Sequence, residues 1–168
     1  MNEFKSVNPR EIEGVFDRIG KDWMLIGTTD GEHPNLMTAS WGAMGVLWNK
    51  PVAICFIRPE RHSFALAEKS ERLSLSFFGD ERYRAALSYC GRASGRNEDK
   101  FEGSGLTPAF ASGVPYPAEA SAVLVCRKLY ADDLKKASFL DASLLSHYEK
   151  GGFHRMYVCE IEDVLVRK

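Results

Sequence analysis

Between Trp23 and Ile57 the apolar residues come in short runs separated by turn signals at hairpin spacing, which leaves little room for a helical fold. Trp23 to Thr29 and Asn35 to Trp41 flank Asp30-Gly31-Glu32-His33-Pro34, so this stretch predicts a β-hairpin. Pro51 opens a third strand over Val52 to Ile57, and Leu73 to Phe78 gives a fourth. Ser121 to Tyr130 and His154 to Val166 read as two long closing strands. In the last run Met156 and Val158 point one way and Tyr157, Cys159 and Ile161 the other, before Glu162-Asp163 interrupt the alternation. Apolar residues on both faces need cover on both faces. Strands at these spacings with few helices predict a mainly β chain, an antiparallel barrel, because closure removes the exposed edges of a sheet.

The helical signals are fewer. Asn8-Pro9-Arg10-Glu11 has the residues of a capping box with proline at the first helical position, and Ile12, Val15, Phe16 and Ile19 would form one apolar face ending at Gly20. A short helix is expected from Ser63 to Lys69 and another from Asp80 to Cys90, stopping at Gly91. Arg92 to Gly105 reads as a polar, glycine-rich loop, and Gly113 to Pro117 as an irregular connector.

The chain has 168 residues, one domain's length, with no internal repeat and no linker, so a single domain over residues 1–168 is expected. Its 22 Lys+Arg against 23 Asp+Glu leave a net charge of -1, which provides no global field toward nucleic acid or an anionic membrane. Any anion site must be local. No apolar stretch approaches the ~20 residues of a membrane helix, and Met1 to Phe16 lacks an apolar signal core, so the cytoplasm is the expected location. Cys55, Cys90, Cys126 and Cys159 form no close pair in sequence and are expected to be buried, protonated and outside any turnover, although a cation near Cys90 could lower its pKa. The histidines have no zinc spacing, and no metal is expected.

Three segments carry candidate chemistry. Arg58-Pro59-Glu60-Arg61-His62-Ser63 follows a strand and opens a helix, which puts two guanidiniums and a hydroxyl near free N–H groups. Taken alone, the same residues could form a solvated turn with Ser63 as a cap. Asn35 to Gly42 runs into small and polar residues whose backbone N–H groups, from Thr38 to Trp41, could serve a flat ligand, with Trp41 and Trp48 as aromatic walls or simply as core or interface residues. Gly91 to Phe101 contains Gly95, Arg96 and Lys100, which could close over an anion or pair internally as a surface loop. No P-loop or dinucleotide fingerprint is present.

In order and spacing, these segments resemble the flavin reductase-like family with an FMN-binding split barrel, including its flavoredoxin-like branch. The resemblance rests on Asn35 to Gly42, Gly45 to Pro51, Arg58 to Ser63, Leu75 to Phe78, Cys90-Gly91, Ser94-Gly95-Arg96, Asp99-Lys100, Gly113-Val114-Pro115 and the strand from His154. It implies an antiparallel Greek-key split barrel, FMN as cofactor, NADH or NADPH as reductant, and a homodimer. It places the ring system against Met37, Thr38, Ala39, Ser40 and Trp41, and the phosphate near Arg58, Arg61, His62, Ser63 and Lys100. Ser76, Phe77, Gly95 and Arg96 join the cofactor-binding positions on the same ground. No side chain is expected to act as a catalytic acid or base, since the flavin carries the reaction. The implied activity is an NAD(P)H-dependent flavin reductase passing hydride from nicotinamide to flavin. An electron carrier exchanging electrons with a redox protein partner, and a flavin-sensing module without turnover, stay open.

Overall fold

The computed structural model describes residues 3–168; Met1 and Asn2, the start of the charged N-terminal segment, lie outside them. The strands are β1 (Phe4–Ser6), β2 (Met24–Thr29), β3 (Pro34–Ala39), β4 (Gly42–Leu47), β5 (Lys50–Ile57), β6 (Arg72–Phe77), β7 (Pro108–Ala111), β8 (Val114–Pro117), β9 (Ala122–Asp133) and β10 (Arg155–Arg167). Three α-helices accompany them: α1 (His62–Lys69), α2 (Arg84–Arg92) and α3 (Lys100–Ser104). One antiparallel sheet runs β3-β2-β6-β9-β10-β5-β4, with β1 added on β10, and β7-β8 form a separate hairpin. This is the expected split barrel.

Turn chemistry sets the hairpins. The Asp30 carboxylate accepts from the N–H groups of Glu32 (3.1 Å) and His33 (2.9 Å), closing β2-β3, and those two bonds, His33's the larger, pull its pKa down to about 2. Trp48 and Asn49 are both left-handed (φ 51° and 58°), as a two-residue loop between antiparallel strands requires, and they join β4 to β5. Ser112 and Gly113 (φ 47° and 78°) do the same for β7-β8, so the expected irregular connector is half of a hairpin. β4 itself is a strand that the sequence reading, which ends its second run at Trp41 and resumes at Pro51, does not anticipate.

The interruption at Glu162-Asp163 is a β-bulge, at which the pairing with β9 shifts between Ile161 and Asp163. The extra residue inverts the alternation. Tyr157, Cys159 and Ile161 face the barrel interior before it, and Val164 and Val166 after it. β2 is covered on both faces: Met24 and Ile26 join the interior cluster, while Leu25 packs in a second cluster with α2, α3 and β8. β8 lies so close that a Cβ on Gly27 would fall 2.1 Å from the Pro115 carbonyl, which also accepts from Ser74 (2.6 Å).

The N-terminal helix is corrected. The capping box forms, Asn8 accepting from Arg10 N–H (3.0 Å) and Glu11 from Asn8 N–H (3.1 Å), but it heads only the 3-10 turn Pro9–Glu11. Ile12 then leaves in an extended conformation, Gly14 turns left-handed (φ 66°), and a π turn continues past Gly20 to Lys21. Ile12, Val15 and Ile19 still anchor on the core, whereas Phe16, expected on the buried face, is 95% exposed. The second helix also runs past Gly91 to Arg92, and the loop expected up to Gly105 contains α3.

Candidate functional site

The sheet fails to close between β3 and β4. Among the described strands β3 pairs only with β2 and β4 only with β5, which leaves backbone N–H and C=O groups without strand partners along the facing edge of β3. A cleft of about 240 Å³ opens at this split, lined by Met37, Thr38, Ala39, Ser40, Trp41, Phe56, Arg58, Arg61 and His154. Thr38 is fixed by donating to the Leu87 carbonyl (2.5 Å), and Trp41 lies edge-on to His147 and tilted against His154, with centroids 5.1 and 5.2 Å away. Burial first, and the Arg58 charge second, drive the His154 pKa down to about 4, so its ring is neutral near pH 7; its Nδ1 meets the Tyr148 hydroxyl at 2.8 Å. The cleft therefore offers an unpaired backbone edge on one side and, beside Arg58 and Arg61, the aromatic, uncharged side chains of Trp41, Phe56 and His154. That is a setting for a flat, polar-rimmed ring.

Arg61 also lines a second, smaller pocket of about 120 Å³, shared with Asn35, His62, Ser63, Gly95 and Lys100. Lys100 is only 3% exposed, is held as the first residue of α3 by the Asp99 cap, and donates to the Cys90 carbonyl (2.7 Å). Arg61 donates to the carbonyls of Gly91 (2.8 Å) and Cys90 (3.3 Å). Both cations thus rest on the C-terminal carbonyls of α2, the negative end of that helix. Burial, then repulsion from Arg61, lowers the Lys100 pKa to about 8, and burial lowers those of Arg61 and His62. Ser63 is 2% exposed and accepts from the Asn35 amide (2.7 Å), so its own proton is free to donate. It sits in the first turn of α1, whose N–H groups lack intrahelical partners. Buried donors, two guarded cations and a helix start form the donor set of a phosphate site.

Not every expected residue is brought here. Arg58 lines the cleft, but its guanidinium is occupied by the carbonyls of His147 (2.9 Å), Gly151 and Gly152 (both 3.3 Å) and lies over the Tyr148 ring. It fastens the segment 134–154, between β9 and β10, beside the cleft. Ser76 and Phe77 are buried in β6, lining neither pocket, because β2 stands between β6 and β3. Arg96 reaches the pocket rim, donating to the Glu60 carbonyl (3.1 Å). Asn35, Phe56, Glu60 and His154 were not singled out from the sequence as site residues.

All four cysteines are buried and free. The absence of a close pair does not carry over into space, for Cys55 and Cys159 lie on neighbouring strands, and the Cys159 thiol, ahead of burial, raises the Cys55 pKa. At Cys90 burial outweighs the Lys100 charge, and the pKa goes up rather than down. No helix among the described residues is long and apolar enough to cross a membrane.

Residues 16–168 match the family model described as flavin reductase like domain. No curated protein matches the chain. Solved structures share the fold. Flavoredoxin of Desulfovibrio vulgaris (Miyazaki F) superposes with TM-score 0.68 at 23% identity, covering 87% of this chain and 69% of that one. An FMN-binding protein from Thermus thermophilus, solved with 1-cyclohex-2-enone, gives 0.67 at 22% identity over 98% and 79%. An NADH:FAD oxidoreductase of Streptomyces globisporus, solved with NAD and FAD fragments, gives 0.65 at 16% over 88% and 74%.

The Arg58 clamp leads to a measurable expectation. Arg58→Ala removes charge-assisted hydrogen bonds worth roughly 1.5–3 kcal/mol. Amide exchange across residues 147–152 is expected to accelerate by at least about tenfold, with that of β9 and β10 unchanged. Unchanged exchange in the segment would mean that the clamp does not hold it.

Proposed function

This chain belongs to the flavin reductase-like family, and we propose that it is an FMN-binding oxidoreductase, an NAD(P)H-dependent flavin reductase. The observation that carries this reading is that Arg61 lines both pockets, which places a cleft suited to a flat ring next to a pocket where Lys100 is buried and donates to the Cys90 carbonyl. A phosphate would supply what that ammonium lacks. The residues fit the group: Arg61, His62, Ser63 and Lys100 would hold the phosphate, and the β3 edge from Met37 to Trp41 the ring.

A bound flavin would supply the redox chemistry, taking electrons from a nicotinamide and giving them to an acceptor. The chain's contribution is to bind and tune. N–H groups of the β3 edge would stabilise negative charge on the ring, and the Trp41, Phe56 and His154 wall would keep water from its face. His154, neutral near pH 7, adds no charge there. The Streptomyces globisporus neighbour, an NADH:FAD oxidoreductase, supports the nicotinamide reading, and the flavoredoxin neighbour supports the electron-carrier alternative.

The β4-β5 tip bears Val46 (63% exposed), Leu47 and Trp48 (54% exposed), an apolar surface that a second copy of the chain would cover. A dimeric mass in light scattering of the flavin-loaded protein is expected; a monomer at micromolar concentration would remove that assembly.

The activity is tested by anaerobic absorbance spectra of FMN-loaded protein. NADH or NADPH, one equivalent per bound flavin, is expected to bleach the oxidised flavin bands. Bleaching by dithionite or a reduced protein, and by neither nicotinamide, would make the chain a carrier instead.

A further inference from the structure

The phosphate pocket has a rim, and one side chain bridges it. Loop 92–97 forms one lip and the turn at Glu60-Arg61 the other, joined by the Arg96 guanidinium on the Glu60 carbonyl (3.1 Å). The loop lies flush on the floor: a Cβ on Gly95 would stand 2.0 Å from the Asn35 amide oxygen and 2.9 Å from the His62 ring. Backbone bonds from Asn97 and Glu98 to the Ser94 carbonyl (3.0 and 3.1 Å), and the Tyr89 hydroxyl on the Glu98 carboxylate (2.5 Å), hold the loop in this position. Behind the rim is about 120 Å³, space for one phosphate group and far too little for an adenylate.

We propose that Gly95 and Arg96 are specificity-determining residues that select the flavin mononucleotide and exclude the dinucleotide, an inference that rests on the flavin reading above. A dinucleotide must carry its second phosphate and its nucleoside out between the two lips, across the Arg96–Glu60 bridge. Charge acts in the same direction. A terminal phosphate monoester carries about -1.5 to -2 at neutral pH and three acceptor oxygens, whereas each phosphate of a dinucleotide is a diester with one charge and two. Arg61 and Lys100, both facing this pocket, match the monoester. Glu60, the one acidic residue lining the pocket, points its carboxylate elsewhere, 3.8 Å from the Arg58 guanidinium. Specificity of this kind comes from obstructing the wrong ligand as much as from gripping the right one.

The test is titration of FMN, FAD and riboflavin into the flavin-free protein, followed by flavin fluorescence, for wild type, Arg96→Ala and Gly95→Ala. Wild type is expected to bind FMN at least about a hundredfold more tightly than FAD. In Arg96→Ala, absolute affinity for FAD should rise by about fivefold or more while riboflavin is unaffected. Gly95→Ala, which forces the loop off its floor, should narrow the FMN-to-FAD ratio by about tenfold. Wild-type FAD affinity within about threefold of FMN, or an Arg96→Ala protein that binds FAD no better than wild type, would overturn the rim and leave the flavin reading standing. If neither FMN nor riboflavin binds wild type, the flavin reading itself fails, and the selectivity with it. Because Arg96 is exposed, its truncation tests the rim even where Gly95→Ala does not fold.

Discussion

Two strands that meet without pairing, β3 and β4, set up everything else in this protein. An antiparallel barrel normally hides its edges by closing on itself. Here the sheet closes everywhere else and stops at Ala39 and Gly42, with only Ser40 and Trp41 between them. Edge backbone groups buried without partners are costly, so a split of this sort is stable only when something polar occupies it or water reaches it. The approach is tight: a Cβ on Gly42 would lie 2.7 Å from the Ile54 carbonyl and 3.3 Å from the end of Met24. A cleft lined by β3 backbone follows from the split, and so does the exposed β4-β5 tip.

Electrostatics locates the anion end. Burying a lysine beside an arginine is unfavourable unless each has a partner. The last carbonyls of α2 partner both, and in doing so fix their directions. Even so, Lys100 stays depressed, the mark of a cation that would be stabilised by negative charge. Helix α1 brings its N-terminus and Ser63 to the same point. A net charge of -1 and a sharply local cationic pocket are compatible, because a pocket suited to one anionic group needs no field over the whole surface.

Much of this was legible in the sequence. The β2-β3 hairpin, α1, β6 and both long strands follow from period and turn residues, and the bulge is written in the broken alternation at Glu162-Asp163. Local signals failed where tertiary contacts took over. Asn8 to Ile19 has the period of a helix, yet Gly14 takes a left-handed conformation and the apolar residues anchor separately. β4 was missed because its outward residues, Val46 among them, remain exposed. In the site, Arg61, Ser63 and Lys100 come together as their motifs suggested. Arg58 does not, since its partners lie 89 to 94 residues away in a segment with no sequence signal. Asn35 meets Ser63 across 28 residues, and Cys55 meets Cys159 across neighbouring strands, contacts that only the sheet order determines.

On the proposed function, Lys100 is the buried cation that would receive the flavin's phosphate. Its pKa of about 8 in the free pocket gives a signature. A bound phosphate raises that pKa, so above pH 8 the complex holds more protons than the free protein, and affinity must fall as pH rises. Ring ionisation is common to FMN and riboflavin and cancels in their ratio. Measured by fluorescence titration between about pH 7 and about pH 9.5, the ratio of FMN to riboflavin affinity should fall by about tenfold in wild type and stay flat in Lys100→Met. A ratio that is flat in wild type as well would contradict the account.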